Sequence, residues 1–67
     1  MIKYKINPLV ALKEHGYSAN MMRVNHIIGS AMIQKIREGG LPSWATLDLI
    51  CKLTGLQPGD VIEYIPD

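Results

Sequence analysis

The chain has 67 residues, 48% apolar and 19% charged, with a net charge of +1. That length predicts one domain over residues 1–67, with a core too small to enclose a deep catalytic cleft. The single cysteine excludes an internal disulfide and fits a reducing, cytoplasmic setting, no run approaches the ~18 apolar residues of a membrane span, and the opening MIKYKINP lacks the apolar stretch of a signal peptide.

Ile2, Tyr4 and Ile6 alternate with Lys3 and Lys5, a period of two that predicts a short half-buried strand. Asn7 is a good N-cap, and Pro8 at the first helical position loses no needed hydrogen bond. The helix they open is expected to reach about His15, with Leu9 and Leu12 inward, Lys13 and Glu14 outward, and Gly16 as its left-handed stop. Ser18 caps a second helix from Ala19 to about Asn25, with Met22 facing the core. Gly29-Ser30 signals a third start. That helix, Ala31 to Glu38, buries Ile33 and Ile36 and leaves Gln34, Lys35 and Arg37 on other faces.

Gly39-Gly40 and Pro42 break the chain, and Ser43 caps a fourth helix. Its stripe is Trp44, Leu47, Ile50, Cys51 and Thr54, at helical spacing, and Gly55 ends it. Gln57-Pro58-Gly59-Asp60 reads as a turn or one helical turn, and Val61 to Ile65 as a strand or extended tail stopped by Pro66. The two terminal segments need partners for their backbone groups and apolar faces, so an antiparallel pair is predicted, within one chain or swapped between two. The expected fold is mainly α, with a short two-strand element from the termini.

The segment Ser18–Gly39 is thus two short helical periods with a tight junction, the arrangement by which a small domain pushes one exposed helix into a DNA groove. Several strings carry a wider resemblance: Gly16-Tyr17-Ser18, Ile28-Gly29-Ser30, Ile33-Gln34-Lys35-Ile36-Arg37-Glu38-Gly39, Leu47 with Ile50-Cys51, and Gln57-Pro58-Gly59-Asp60 with Glu63-Tyr64. On these the chain resembles the phage-repressor and Cro type of helix-turn-helix regulators, over essentially its whole length. The resemblance implies a compact five-helix DNA-binding domain, often dimeric, acting in transcription. Three positions depart from the family pattern. Ala19 stands where many members carry a glutamine that touches the DNA backbone. Arg23 replaces a small buried residue and is expected to pair with Glu14. Ile27 occupies the place of the usual turn glycine, so the turn is expected to be reshaped around Asn25, which tolerates positive φ.

Charge is unevenly spread. Residues 1–38 hold six lysines and arginines against Glu14 and Glu38, for +4; residues 39–67 hold Lys52 against four acids, for −3. A positive half that contains the two-helix segment suits phosphate binding on one face. The expected reading surface is Ser30, Ala31, Gln34 and Lys35, with Arg37 adding charge and Asn20 a phosphate contact. Ser30 and the first helix amides suit phosphate or a base edge, Gln34 suits adenine, and Ala31 a thymine methyl. The competing account is a plain solvated helix face.

No other constellation carries chemistry. Cys51 on an apolar stripe behaves as a small hydrophobe, and His15 and His26 lack metal-ligand spacing. Gly39-Gly40 has no following Lys-Ser/Thr and reads as a loop. Met22 is expected in the core, with exposed Met21 or Met32 as a contact surface; Trp44 is expected to pack the fourth helix against the loop above it, with an interface role as the minor alternative. Leu49 and Leu53, off the main stripe, read as a partner patch or as tolerated surface apolars. No enzyme, cofactor, metal or small-molecule substrate is indicated. The expected partners are double-stranded DNA and a second copy of the chain, because a single module of this kind has a modest interface. The alternative is a protein-interaction module on the same fold, antitoxin-like or an anti-regulator partner.

Overall fold

The computed structural model describes residues 1–67. In chain order the elements are β1 (Ile2–Tyr4), α1 (Pro8–Glu14), α2 (Ala19–Val24), α3 (Ser30–Arg37), α4 (Trp44–Thr54), α5 (Pro58–Val61) and β2 (Ile62–Tyr64). This is the mainly helical, five-helix arrangement with a terminal two-strand sheet that the residues predict. No helix is long and apolar enough to cross a membrane.

Side-chain caps set the starts of three helices. Asn7 Oδ1 accepts from the Leu9 amide at 3.1 Å, Ser18 Oγ from Met21 at 3.2 Å, and Ser43 Oγ from Thr46 at 3.2 Å. Gly29 precedes α3 without a capping side chain, and Ser30 is already the first helical residue.

Helices α1, α2 and α3 end alike. The amide five residues past a carbonyl turns back to it: Tyr17 to Leu12 at 2.8 Å, Ile27 to Met22 at 2.8 Å, and Gly40 to Lys35 at 2.8 Å. This closure needs a left-handed residue just beyond the cap. Gly16 and Gly39 fill that place at φ 89°, and His26 fills it after α2 at φ 57°. The expectation for Asn25 is therefore corrected. Asn25 is the cap itself, at φ −90°, and its Nδ2 donates to Met21 O at 2.9 Å. The left-handed strain falls one residue later, because the hydrogen-bond count from the end of α2 decides the position.

One cluster forms the core: Leu12 from α1, Met22 from α2, Ile28 from the turn, Ile33 and Ile36 from α3, Leu47 and Ile50 from α4, and Val61 from α5. Leu9 is half-buried at its edge, and Ala11 is buried beside Leu12. Thr54 is buried with its hydroxyl satisfied, donating to Ile50 O at 2.7 Å and accepting from the Leu56 amide at 3.3 Å. Leu49, Leu53 and Met32 are half-buried against the core, so the first two do not form a free patch. Trp44 is the larger correction: it is 85% exposed. It continues the inward stripe of α4, but the first turn of that helix overhangs a groove instead of a covering loop.

The termini pair within one chain. β1 and β2 run antiparallel in the register Ile2↔Tyr64, Lys3↔Glu63 and Tyr4↔Ile62. Ile6 lies outside the strand and is exposed. The Lys5 amide extends the pairing to Val61 O at 2.8 Å, next to the side chain that fills the core. Tyr4 Oη donates to Gly40 O at 2.6 Å, tying the sheet to the end of α3. Gly40 suits that approach, because a Cβ would sit 2.6 Å from Lys35 Cγ and 3.0 Å from Lys35 O and force the lysine stem aside.

Burial pushes the Tyr4 phenol above its ordinary value, so the fold favours the neutral form. The associated stability is present below the ordinary phenol value of about 10 and is lost as pH rises through the raised one. Tyr4→Phe is expected to lose about 0.5–1.5 kcal/mol at neutral pH, read from urea midpoints. The gap to the parent chain should narrow at strongly alkaline pH; a constant gap would mean the buried phenol is not its source.

At His26, glycine adopts the left-handed conformation without the Cβ penalty of ~1–2 kcal/mol. Set against glycine's larger chain entropy, His26→Gly is expected to raise stability by up to about 1 kcal/mol. A lower melting temperature would show that the imidazole makes a stabilising contact that outweighs the strain.

Candidate nucleic-acid interface

The α2–turn–α3 unit is pinned from inside. Met22, Ile28, Ile33 and Ile36 are buried together, so both helices have a fixed outward face. Residues advance about 100° around a helix. Ala31, Gln34, Lys35 and Glu38 therefore project opposite Ile33 and Ile36, with Ser30 and Arg37 on one flank and Met32 on the other. Asn20, Ser30, Ala31, Gln34, Lys35 and Arg37 are all exposed.

The outward side chains of α3 are linked. Arg37 Nη1 donates to Gln34 Oε1 at 3.4 Å, and Gln34 Nε2 donates to Glu38 Oε2 at 3.2 Å. A glutamine amide has two donors and two acceptor lone pairs. One of each remains free, so the amide is oriented without being used up. Glu38 was not foreseen in this role. The signal was present as the i, i+4 spacing from Gln34, but it emerges only when the side chains are considered as pairs.

Asn20 is likewise engaged, its Oδ1 accepting from Arg23 Nη2 at 3.0 Å. The expected Arg23–Glu14 pair does not form. Asn20 lies one turn back on the same exposed helix face and reaches the guanidinium first.

The one ion pair of the protein joins the Met1 amine to Asp67 at 2.7 Å. Lys13, Arg23, Lys35 and Arg37 thus form no direct ion pair with a carboxylate. Arg37 and Lys13 line the same open groove of about 590 Å³, where Ser18 and Ala19 begin α2. Lys13, read from sequence only as an outward residue, accordingly borders the two-helix unit. Lys35 leaves the opposite flank, its stem lying over Gly40.

The remaining candidates have structural surroundings. Cys51 is half-buried against the core. Burial first, and then the Asp48 and Asp60 charges, push its thiol above the usual range. It is therefore a neutral thiol at physiological pH and a poor nucleophile. His15 Nδ1 lies 2.9 Å from Ala11 O. No group of three or more histidine, cysteine or carboxylate side chains converges.

No curated protein and no solved structure matches the chain. A family model for the Cro/C1-type HTH DNA-binding domain matches residues 9–67, taking in all five helices but the first residue of α1, together with β2. With the turn anchored by buried Ile28, the outward α3 and that match in agreement, the chain belongs to the Cro/C1-type helix-turn-helix DNA-binding domains.

Proposed function

We propose that the protein binds duplex DNA in a sequence-specific manner as a small transcriptional regulator, with α3 in the major groove and two copies on a two-fold site. The observation that carries this reading is the outward face of α3. Gln34 is held by its neighbours with one donor and one acceptor free, between the flanking cations Lys35 and Arg37, neither of which is in an ion pair. That is the pattern needed to meet adenine N6 and N7 while charge meets phosphate. Ala31 suits a thymine methyl. Ser30 and the leading α3 amides, left without a capping side chain, suit phosphate. Lys35 and Arg37 serve phosphate or guanine, and Asn20 a phosphate beside α2. Pairing follows from size: one such module covers ~600–1,000 Å², too little for useful discrimination among genomic sites.

A protein-interaction role on the same fold, antitoxin-like or anti-regulatory, is favoured by two features. Glu38 places a carboxylate on the same face, and the net charge is only +1. On DNA that carboxylate would accept from a cytosine amino group and disfavour close phosphate approach.

Titrating two variants against two DNAs at matched salt decides between these readings, the specific DNA being taken from upstream of the protein's own coding region. Gln34→Ala is expected to lose about 1–3 kcal/mol on the specific site and almost nothing on scrambled DNA, where affinity comes from phosphate charge. Lys35→Ala is expected to weaken both DNAs and to flatten the salt dependence by about one unit of slope. Intact preference in the Gln34 variant would refute the base-reading assignment. No effect of either variant on either DNA would support the interaction module.

A further inference from the structure

The only tryptophan of the chain is also its most exposed large apolar side chain. Trp44, at the first position of α4, is 85% exposed and stands at the rim of a groove of about 240 Å³. Ile2, Leu41, Pro42, Leu47 and Ile62 line the rest of that groove, and no charged side chain does. The strand register sets Tyr64, 66% exposed, opposite Ile2 on the same side of the sheet. Knob and groove thus lie side by side on one face.

We infer that this face is the interface between two copies of the chain, each Trp44 indole seated in the groove of the other. Area supports it. Full aromatic side chains bury ~150–250 Å², so Trp44 and Tyr64 at their exposures offer roughly 200–400 Å². Ile2 and Leu41, 49% and 37% exposed, extend the patch. A stable interface takes ~800 Å² from each partner, a little over half of it apolar, and the patch supplies most of that apolar share. Shape supports it too. A face that carries both a projection and a recess closes on itself about a two-fold axis, with the same residues on both sides. Burying this groove desolvates no charged side chain. None of its residues belongs to α2 or α3, so the outward face of α3 stays free in the dimer.

This inference rests on the two-copy part of the proposed function and not on DNA recognition. Its test needs no DNA. Sedimentation velocity should show a dimer that dissociates on dilution, and the emission of the single indole should shift to the blue as the dimer forms. Trp44→Ser should sediment as a monomer and melt where the parent chain melts once diluted to monomer, because the side chain is exposed in the single chain. Leu41→Ser keeps the indole as reporter; it should weaken pairing at least ~10-fold and hold the emission red at concentrations where the parent chain has shifted. A parent chain that stays monomeric up to roughly 100 μM with fixed emission would overturn the inference, whether the face is bare or serves a different partner. A Trp44→Ser protein that still dimerises would overturn it by placing the contact elsewhere. A chain that dimerises through Trp44 yet ignores DNA would refute the proposed function and leave this interface standing.

Discussion

Two isoleucines one helical turn apart set the orientation of α3, and almost everything the protein presents to solvent depends on them. Ile33 and Ile36 enter the core beside Met22 and Ile28. Each buried side chain of this kind contributes about 1.5–3 kcal/mol. Rotating α3 by a single residue would expose one of them and drive a glutamine or lysine inward without partners, a further cost of a few kcal/mol. The rotation is therefore determined by more than thermal energy can undo. Ala31, Gln34 and Lys35 face outward because Ile33 and Ile36 face inward.

The turn before α3 serves the same end. Its hydrogen bond from Ile27 to Met22 O keeps the chain tight enough for Ile28 to reach the core immediately. A left-handed histidine is the strained element in that closure. After α3, the two glycines bend the chain under Lys35, and Tyr4 holds the bend from the other side. Helix α3 is thus held at both ends by backbone geometry and along its length by packing. The exposed Met1–Asp67 pair adds little, since screened surface ion pairs contribute ~0–1 kcal/mol.

Much of this was legible in the residues because it is local. Caps such as Asn7, Ser18 and Ser43 act within three residues of themselves, and a 3.6-residue apolar period names an inward face directly. What escaped depended on distance or on competition. The stripe of α4 correctly points Trp44 toward the side of Leu47, but no stripe tells how far the opposing surface extends. The left-handed residue after α2 follows from where the helix ends, which residue preference alone assigned to Asn25 instead of His26. Arg23 had two partners in reach on paper, and the nearer amide of Asn20 prevailed over the carboxylate of Glu14. The outward residues of α3 were found as the complement of its buried ones. The link from Gln34 to Glu38 and Arg37 is a property of side-chain pairs, which no single residue's preference carries.

The pairing of β1 with β2 joins the two ends of the chain, so it closes nearly the longest loop that 67 residues allow. Loop entropy makes such contacts the most expensive to form, and folding rates fall as sequence separation grows. The backbone hydrogen bonds of the α2–turn–α3 unit, by contrast, join residues no more than about five positions apart. The groove beside Trp44 draws one wall from Ile2 and another from Ile62. It exists only after the ends have met, so a chain frayed at its termini lacks the walls of the groove.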